Sequence, residues 1–456
     1  MPDPSLAPGD QVSLTIDDLA YGGDGVGRLA GFAVFVPDVC PGEIVRVEIG
    51  EVKRSFARAR LLAVEQAAPE RAVPLCPVYG RCGGCRLQHL DYDAQVKAKT
   101  AFVRDALVRV GRLPDVIVAD TLPSPLPYGY RNKVDMAVIL DEHARPGTAY
   151  HGRDAEDLVL IDDCPLAMPE VNLLLDTVRA WLHETGWPVF DEQTTKGLVR
   201  EVALRWSAAG REATLLLTTG RRDVPDKRPW IDRLRKLDPR LVGVRHRART
   251  RASQTPQGRG VAERVGRPLR VKLPNGLSLR VSPDAFWQVN ELLLPTLIEQ
   301  VILAVDPQPG DHVADMYAGV GTFGLSLAKD VRQVTLLEVE PDAVHDAEAN
   351  IEFNKLTNVK VEHGQVEQRL AALGREQRID KLILDPPRQG CSDAVVRIAA
   401  GTRPARIAYV SCDPTTLARD LNRFEAAGYV TTGVQPLDLF PQTYHVECVA
   451  TLVRKE

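Results

Sequence analysis

Apolar and polar residues alternate through Gln11-Val12-Ser13-Leu14-Thr15-Ile16, the two-residue period of a half-buried strand. Strand-forming runs follow at Phe32-Ala33-Val34-Phe35-Val36-Pro37 and Ile44-Val45-Arg46-Val47-Glu48-Ile49, separated by the glycine-rich turn Tyr21–Arg28 and by Pro41-Gly42. Short strands packed into residues 10–63 predict a small barrel, a shape often used to hold nucleic acids. Residues 93–112 change period: Val96, Phe102, Val103, Leu107 and Val110 recur at helical spacing. From 130 to about 281 strands dominate, at Lys133–Leu140, Leu198–Trp206, Ala213–Thr218 and Leu269–Val281. Beyond 310 strands and helices alternate. The strands are His312–Met316, Gln333–Glu338, Val359–His363, Lys381–Leu384 and Ile407–Ser411, with helices such as Asp342–Asn354 and Thr415–Ala426 between them. That rhythm predicts a doubly wound, mostly parallel sheet, which binds ligands at the carboxyl ends of its strands. The fold class is therefore multidomain. A small all-β, OB-like barrel spans 1–65, an α+β central domain spans 66–275, and an α/β Rossmann-like domain spans 276–456.

The chain has 456 residues, 44% hydrophobic and 26% charged, an ordinary globular composition that excludes a disordered tail, a collagen-like chain and a disulfide mini-scaffold. No apolar run is long enough for a membrane span, and Met1-Pro2-Asp3-Pro4 does not begin a secretory signal, so a cytoplasmic, membrane-free protein is expected. The net charge of −4 hides a partition: residues 282–456 carry 16 Lys/Arg against 25 Asp/Glu, and residues 1–281 carry 41 against 36. The excess concentrates in Arg240–Lys272, which has ten basic residues and one acid and reads as a mobile basic loop for phosphate contact. Lys53–Arg60, with four basic residues and Phe56, reads equally as a solvated strand face or an RNA contact.

In a cytoplasmic setting disulfides are rare, so the eight cysteines read as ligands, nucleophiles or small core residues. Cys76, Cys82 and Cys85 cluster in a loop bounded by Pro77, Gly80, Gly83 and Gly84. Three thiolates on such a loop wrap a soft metal centre, and Cys164, followed by Pro165, is the fourth candidate. An iron–sulfur cluster is favoured. A four-thiolate zinc site is the rival, although the spacing departs from paired CxxC knuckles.

The segment Asp315-Met316-Tyr317-Ala318-Gly319-Val320-Gly321-Thr322 follows the first strand of the α/β region, and its glycines let the backbone approach a ligand. The next strand ends in Glu338, a carboxylate suited to a ribose hydroxyl pair. Without a third glycine or a Walker lysine, the ligand is a nucleoside with no phosphate, and S-adenosylmethionine fits. Asp385-Pro386-Pro387-Arg388 ends the fourth strand, where two prolines stiffen the turn that aims Asp385. Cys412 precedes Asp413-Pro414 at the start of a helix, whose positive end favours thiolate; a buried structural cysteine is the alternative. Glu447 interrupts an apolar terminal strand, a costly place for an acid unless it is paired or moves a proton.

Taken together, these motifs resemble the RNA 5-methyluridine methyltransferase family over essentially the whole chain. The resemblance implies a TRAM RNA-binding domain at residues 10–63 and a 4Fe–4S cluster on Cys76, Cys82, Cys85 and Cys164. Ser282–Asn290 is similar to the family segment whose glutamine, here Gln288, contacts S-adenosylmethionine, and Tyr317, Glu338 and Asp385 fall on cofactor-binding positions. Thr322 and Gln365 stand where relatives carry other polar residues, and Ala318 replaces a cysteine that is not the nucleophile. Cys412 matches the nucleophile and Glu447 the general base. The implied activity is methylation of uridine C5 in RNA, with 23S rRNA favoured and tRNA the alternative, by a monomer. Two other readings stay open. One is a base-amino methyltransferase, which expects an aromatic where Arg388 stands; the other is a non-catalytic cluster-bearing RNA-binding protein.

Overall fold

The computed structural model describes residues 6–153, 157–225, 227–249 and 263–455. The amino-terminal runs become β1 (Gln11–Leu19), β2 (Gly25–Leu29), β3 (Phe32–Val36), β4 (Ile44–Val52) and β5 (Phe56–Gln66), closing a barrel in the order β1-β2-β3-β5-β4. Leu14, Ile16, Val34, Val36, Val45, Val47 and Ile49 fill it, as alternation requires. Gly27 is needed where strands crowd, because a Cβ there would collide with the Thr15 carbonyl. Of the basic run, Arg58 and Arg60 lie on the outside and pair with Asp24 and Glu48 at 3.0 and 3.2 Å.

The helical period beyond residue 92 gives α1 (Tyr92–Ala106), capped by Asp91, whose carboxylate accepts from the Ala94 N–H at 2.8 Å. It continues as one wide turn over Leu107–Gly111 and stops where Arg112 turns left-handed.

The central strands are β6 (Lys133–Leu140), β7 (Pro146–His151), β8 (Leu158–Leu160), β9 (Val199–Ser207), β10 (Glu212–Thr219), β11 (Leu241–Ala248) and β12 (Glu263–Gly266). They form one sheet in the order β12-β11-β10-β9-β6-β7-β8. Helix α2 (Pro169–Thr185) lays Leu174, Leu175, Val178 and Trp181 into a core with Val134, Met136, Leu204 and Leu215, and α3 (Lys227–Leu237) packs on β11.

The expected basic loop at Arg240–Lys272 is corrected here. Its described part is mostly strand, and five of its arginines are paired with acids. Arg240 meets Asp238 at 2.6 Å, Arg249 meets Glu201 at 2.6 Å, Arg245 meets Asp342 at 2.8 Å, Arg245 and Arg247 share Asp284, and Arg267 holds Glu212. Most of these acids are distant in sequence, so a local charge count misses them. Residues 250–262, with Arg251 and Arg259, lie outside the described residues. The single strand expected at Leu269–Val281 is instead a hairpin, β13 (Leu269–Lys272) and β14 (Ser278–Val281), turned at Gly276 with φ 85°.

After α4 (Leu294–Val305) comes the alternating region: β15 (His312–Met316), α5 (Thr322–Leu327), β16 (Gln333–Glu338), α6 (Pro341–Phe353), β17 (Val359–His363), α7 (Val366–Glu376), β18 (Lys381–Leu384), α8 (Asp393–Gly401), β19 (Arg406–Ser411) and α9 (Pro414–Ala426). Antiparallel β20 (Tyr429–Leu437) and β21 (Glu447–Arg454) complete a sheet of order β17-β16-β15-β18-β19-β21-β20. The chain moves outward from β15 through β16 to β17, then returns to β15's other side as β18. The crevice at the carboxyl ends of β15 and β18 is therefore the topological switch point. Helix α1 docks on this unit through Val103, Ala106 and Leu107 against Leu417, Ala418 and Leu421. The Lys99 ammonium, fully buried, holds Asp438 and the Phe440 carbonyl at 2.5 and 3.0 Å.

Candidate active site

Three strand ends supply acids to the crevice. Asp315, in β15, is sealed from solvent and accepts from the Gly324 N–H at 2.8 Å. Burial pushes its carboxyl up to about 8, and nearby Asp385 and Glu338 add to the effect. Glu338, at the end of β16, receives the Gly319 N–H at 2.7 Å on one oxygen and the Val339 and Glu340 N–H groups at 2.7 and 2.8 Å on the other. It thereby fixes the glycine turn to the neighbouring strand. Asp385 follows β18, and burial raises its carboxyl to about 7.

Between them Tyr317 takes φ 62°, an uncommon conformation for a tyrosine, and its half-buried ring is backed by Cys391. Thr322 begins α5, and Gln365 is the exposed residue before α7. Gln288 is buried, and its carbonyl accepts from Asn132 Nδ2 at 3.0 Å, which ties its segment to the central sheet.

The pairing of β19 with β21 decides the reactive geometry. Ser411 faces Cys448, which brings Cys412 beside Glu447 at the same sheet edge. Glu447 is buried, and burial together with Asp385 holds its carboxyl well above the usual range. Cys412 is half-buried, and its thiol is pushed up to about 12 by burial, then by Glu447. This corrects the expected thiolate. The amino terminus of α9 is already occupied, because Asp413 Oδ1 accepts from the Thr415 and Thr416 N–H groups at 2.9 Å each. Burial, then Glu447 and Asp385, outweigh the lowering by Arg388.

Two residues at this edge escaped the sequence reading. Arg388 donates to the Cys412 thiol and lies 3.4 Å from His445 Nε2. The sequence showed Arg388 only as a departure from another motif. Burial and then Arg388 lower His445 to about 4, so its ring is neutral. The surrounding loop is fastened from three sides. The Gln442 carbonyl accepts from Arg86 and Leu87 N–H groups at 3.1 Å each, Gln95 Nε2 donates to Gln442 Oε1 while the Gln442 backbone N–H donates to Gln95 Oε1, both at 3.0 Å, and the Tyr130 hydroxyl donates to the Pro441 carbonyl at 3.0 Å.

The four cysteines Cys76, Cys82, Cys85 and Cys164 line one cavity of about 320 Å³, beside Gln88 and Tyr150. Gln88 Oε1 accepts from the Cys76 N–H and Asn172 Oδ1 from the Cys164 N–H, each at 3.1 Å. Gly83 is required where the loop meets the Gly152 carbonyl, with which a Cβ would clash. Among the described residues no three His, Cys, Asp or Glu side chains converge closely enough to hold a single metal ion.

A switch-point crevice with a ribose-suited carboxylate, a phosphate-free glycine turn and an adjacent cysteine–glutamate pair defines a methyltransferase that takes S-adenosylmethionine as donor. Residues 264–455 match the tRNA (Uracil-5-)-methyltransferase family and residues 7–62 match the TRAM domain. The chain is 37% identical over 449 residues to an uncharacterized RNA methyltransferase of Synechocystis sp., covering 97% of this chain and 96% of that one. It is 36% identical over 449 residues to another from Caldanaerobacter subterraneus, covering 98% of each. Its fold is similar to that of Pyrococcus abyssi tRNA (uracil-54, C5)-methyltransferase, solved with S-adenosyl-L-homocysteine, at TM-score 0.75 and 27% identity, covering 97% of this chain and 100% of that one. The chain belongs to the RNA (uracil-5-)-methyltransferase family and carries a TRAM barrel at its amino-terminal end. Among the described residues no helix is long and apolar enough to cross a membrane.

Proposed function

We propose that this enzyme methylates C5 of a uridine in RNA through a covalent adduct on Cys412. The adjacency of Cys412 and Glu447 across β19 and β21 carries the reading. Uracil C5 is too weak a nucleophile to take a methyl group unaided. Once the Cys412 thiol has released its proton to solvent, attack of the thiolate at C6 forms the S–C6 bond and moves the electron pair toward C5 as an enolate. C5 then attacks the methyl carbon of S-adenosylmethionine, so the C5–CH3 bond forms as the S–CH3 bond breaks and S-adenosylhomocysteine leaves. Glu447 removes the C5 proton, the C6–S bond breaks, and the cysteine is restored.

The neutral thiol and raised carboxyls describe the ligand-free site. The sulfonium of the methyl donor brings positive charge into this acidic crevice, and a nearby cation favours both thiolate and carboxylate. Donor binding therefore primes nucleophile and base together, with the Arg388 guanidinium holding the sulfur's developing charge. Gln288, Tyr317, Thr322, Glu338, Gln365 and Asp385 form the donor's surroundings in this reading, with Glu338 toward the ribose. The target base leaves its stack to reach Cys412.

Cys76, Cys82, Cys85 and Cys164 would hold a 4Fe–4S cluster, which the cavity they line supports. Those cysteines would thereby tie the Cys76–Cys85 loop to the Cys164 turn, and methyl transfer requires no redox step. The combination of TRAM barrel and cluster favours 23S rRNA as substrate, and tRNA is the alternative. The base-amino reading is disfavoured because it gives Cys412 and Glu447 no role.

Incubation with 5-fluorouridine RNA should trap the enzyme, with the crosslink on Cys412. Cys412→Ala should abolish trapping and methylation while keeping donor binding; full activity in that variant would refute the mechanism. Mass spectrometry of 5-methyluridine in rRNA and tRNA from a deletion strain identifies the RNA.

A further inference from the structure

The turn between β1 and β2 belongs to the TRAM barrel, yet its tip reaches the catalytic edge. The Tyr21 hydroxyl donates to Asp413 Oδ2 at 3.3 Å. Asp413 follows Cys412 directly and uses its other oxygen, Oδ1, to cap α9. The Tyr21 ring also stands edge-on to Tyr444, with centroids 5.3 Å apart at 85°, and to Phe102 of α1, 5.9 Å apart at 74°. Tyr444 in turn packs against His445 at 4.1 Å. One phenol thus contacts both walls flanking the cysteine–glutamate pair.

The turn is built to hold that position. The Ala20 N–H donates to the Asp24 carbonyl at 2.8 Å and the Gly23 N–H to the Ala20 carbonyl at 2.9 Å. Gly22 and Gly23 take φ 119° and 91°, conformations open to glycine. At Gly23 a Cβ would press on Arg86 and Leu87 of the cysteine-bearing loop, so the turn lies directly against that loop as well. Burial and the neighbouring Asp413 carboxylate raise the phenol, which keeps its proton available for donation.

We infer that the TRAM barrel does more than bind RNA: through Tyr21 it positions Asp413, and thereby the Cys412 turn, for attack on the base. Tyr21 is a positioning residue and touches no reacting atom. The inference rests on Cys412 as nucleophile. Seating of the barrel, and with it engagement of the RNA, becomes coupled to the geometry of the sulfur.

The test uses the full-length enzyme and 5-fluorouridine RNA. Tyr21→Phe removes one hydroxyl and keeps the ring. It should slow covalent trapping at saturating RNA about three- to tenfold, the range one hydrogen bond commands. RNA affinity, S-adenosylmethionine affinity and melting temperature should stay at wild-type values, which a merely structural or RNA-binding role would not produce. Asp413→Ser keeps a capping oxygen for α9 but leaves none for Tyr21. In that background Tyr21→Phe should add nothing, because the two residues act as a pair. Wild-type trapping with an unimpaired Tyr21→Phe overturns the inference alone. A loss confined to RNA affinity, or a full additional loss on top of Asp413→Ser, overturns it as well. Failure of the wild-type enzyme to trap at Cys412 overturns the parent mechanism and this inference together.

Discussion

Asp385→Asn should make the free enzyme more stable at neutral and alkaline pH while weakening its hold on S-adenosylmethionine. Burial raises the Asp385 carboxyl from 3.8 to about 7. The folded protein therefore binds this proton more tightly than the unfolded chain does. The group's contribution to stability is intact below pH 3.8 and is lost as pH rises toward about 7. At 1.36 kcal/mol per pH unit the full penalty approaches about 4 kcal/mol. Asp385 is only half-buried, and solvent screening reduces this to about 2 kcal/mol. Asparagine carries no charge and avoids the penalty. Thermal unfolding followed from pH 4 to 8.5 should show the two proteins nearly together at the acid end. At pH 8 the variant should melt about 4–8 °C higher. Calorimetric titration should show weaker donor binding in the same variant. A melting difference that stays constant with pH, or shrinks as pH rises, would refute the argument that this carboxyl is kept at a cost for the donor's cation.

Glu447→Gln reproduces the neutral form that the ligand-free site already favours, so folding and RNA binding should survive. Proton removal should fail, lowering turnover by at least about 10²-fold and letting a methylated RNA–Cys412 adduct accumulate, visible as a shifted band and an added mass. Lys99→Ala leaves Asp438 charged in a sealed site and should cost about 3–5 kcal/mol in chemical denaturation, whereas Lys99→Met combined with Asp438→Leu should recover most of the loss.

The parts of this molecule that the sequence revealed are those governed by local periodicity. Barrel strands such as Gln11–Leu19 and core strands such as His312–Met316 bury one or both faces, so their composition reports their geometry. Glu447 was legible because an acid inside an apolar strand is conspicuous. What escaped depends on contacts between distant segments. Tyr21 and Asp413 are 392 positions apart, and Arg388 and His445 are 57 apart. The protonation of Cys412 escaped for the same reason: a helix amino terminus is visible in sequence, but the surrounding acids at 385 and 447 arrive by strand pairing.

The charge partition is the sharpest case, and it changes what the basic residues are for. Counted along the chain, Arg240–Lys272 is an unopposed cationic run that invites phosphate. Folded, Arg245 and Arg247 close on Asp284, and Arg245 also reaches Asp342 at the start of α6. Asp284 lies four residues before Gln288, whose carbonyl is bound by Asn132 ahead of β6. Arg280 holds the buried Asp346 of α6 at 2.7 Å, and the Ser282 hydroxyl donates to the same carboxylate at 2.9 Å. The Arg245 and Arg247 pairs cross the junction between the central sheet and the segment that bears Gln288, and the Asp346 bonds fasten that segment's approach to α6. Partly buried pairs are screened less by salt than exposed ones, so such pairs can fix geometry where an exposed loop could only attract counter-charge. In the described part, Arg245 and Arg247 thus seat the central sheet on the neighbouring unit, while Arg240, Arg249 and Arg267 pair within the central unit, and positive charge in sequence is not by itself a map of RNA contact.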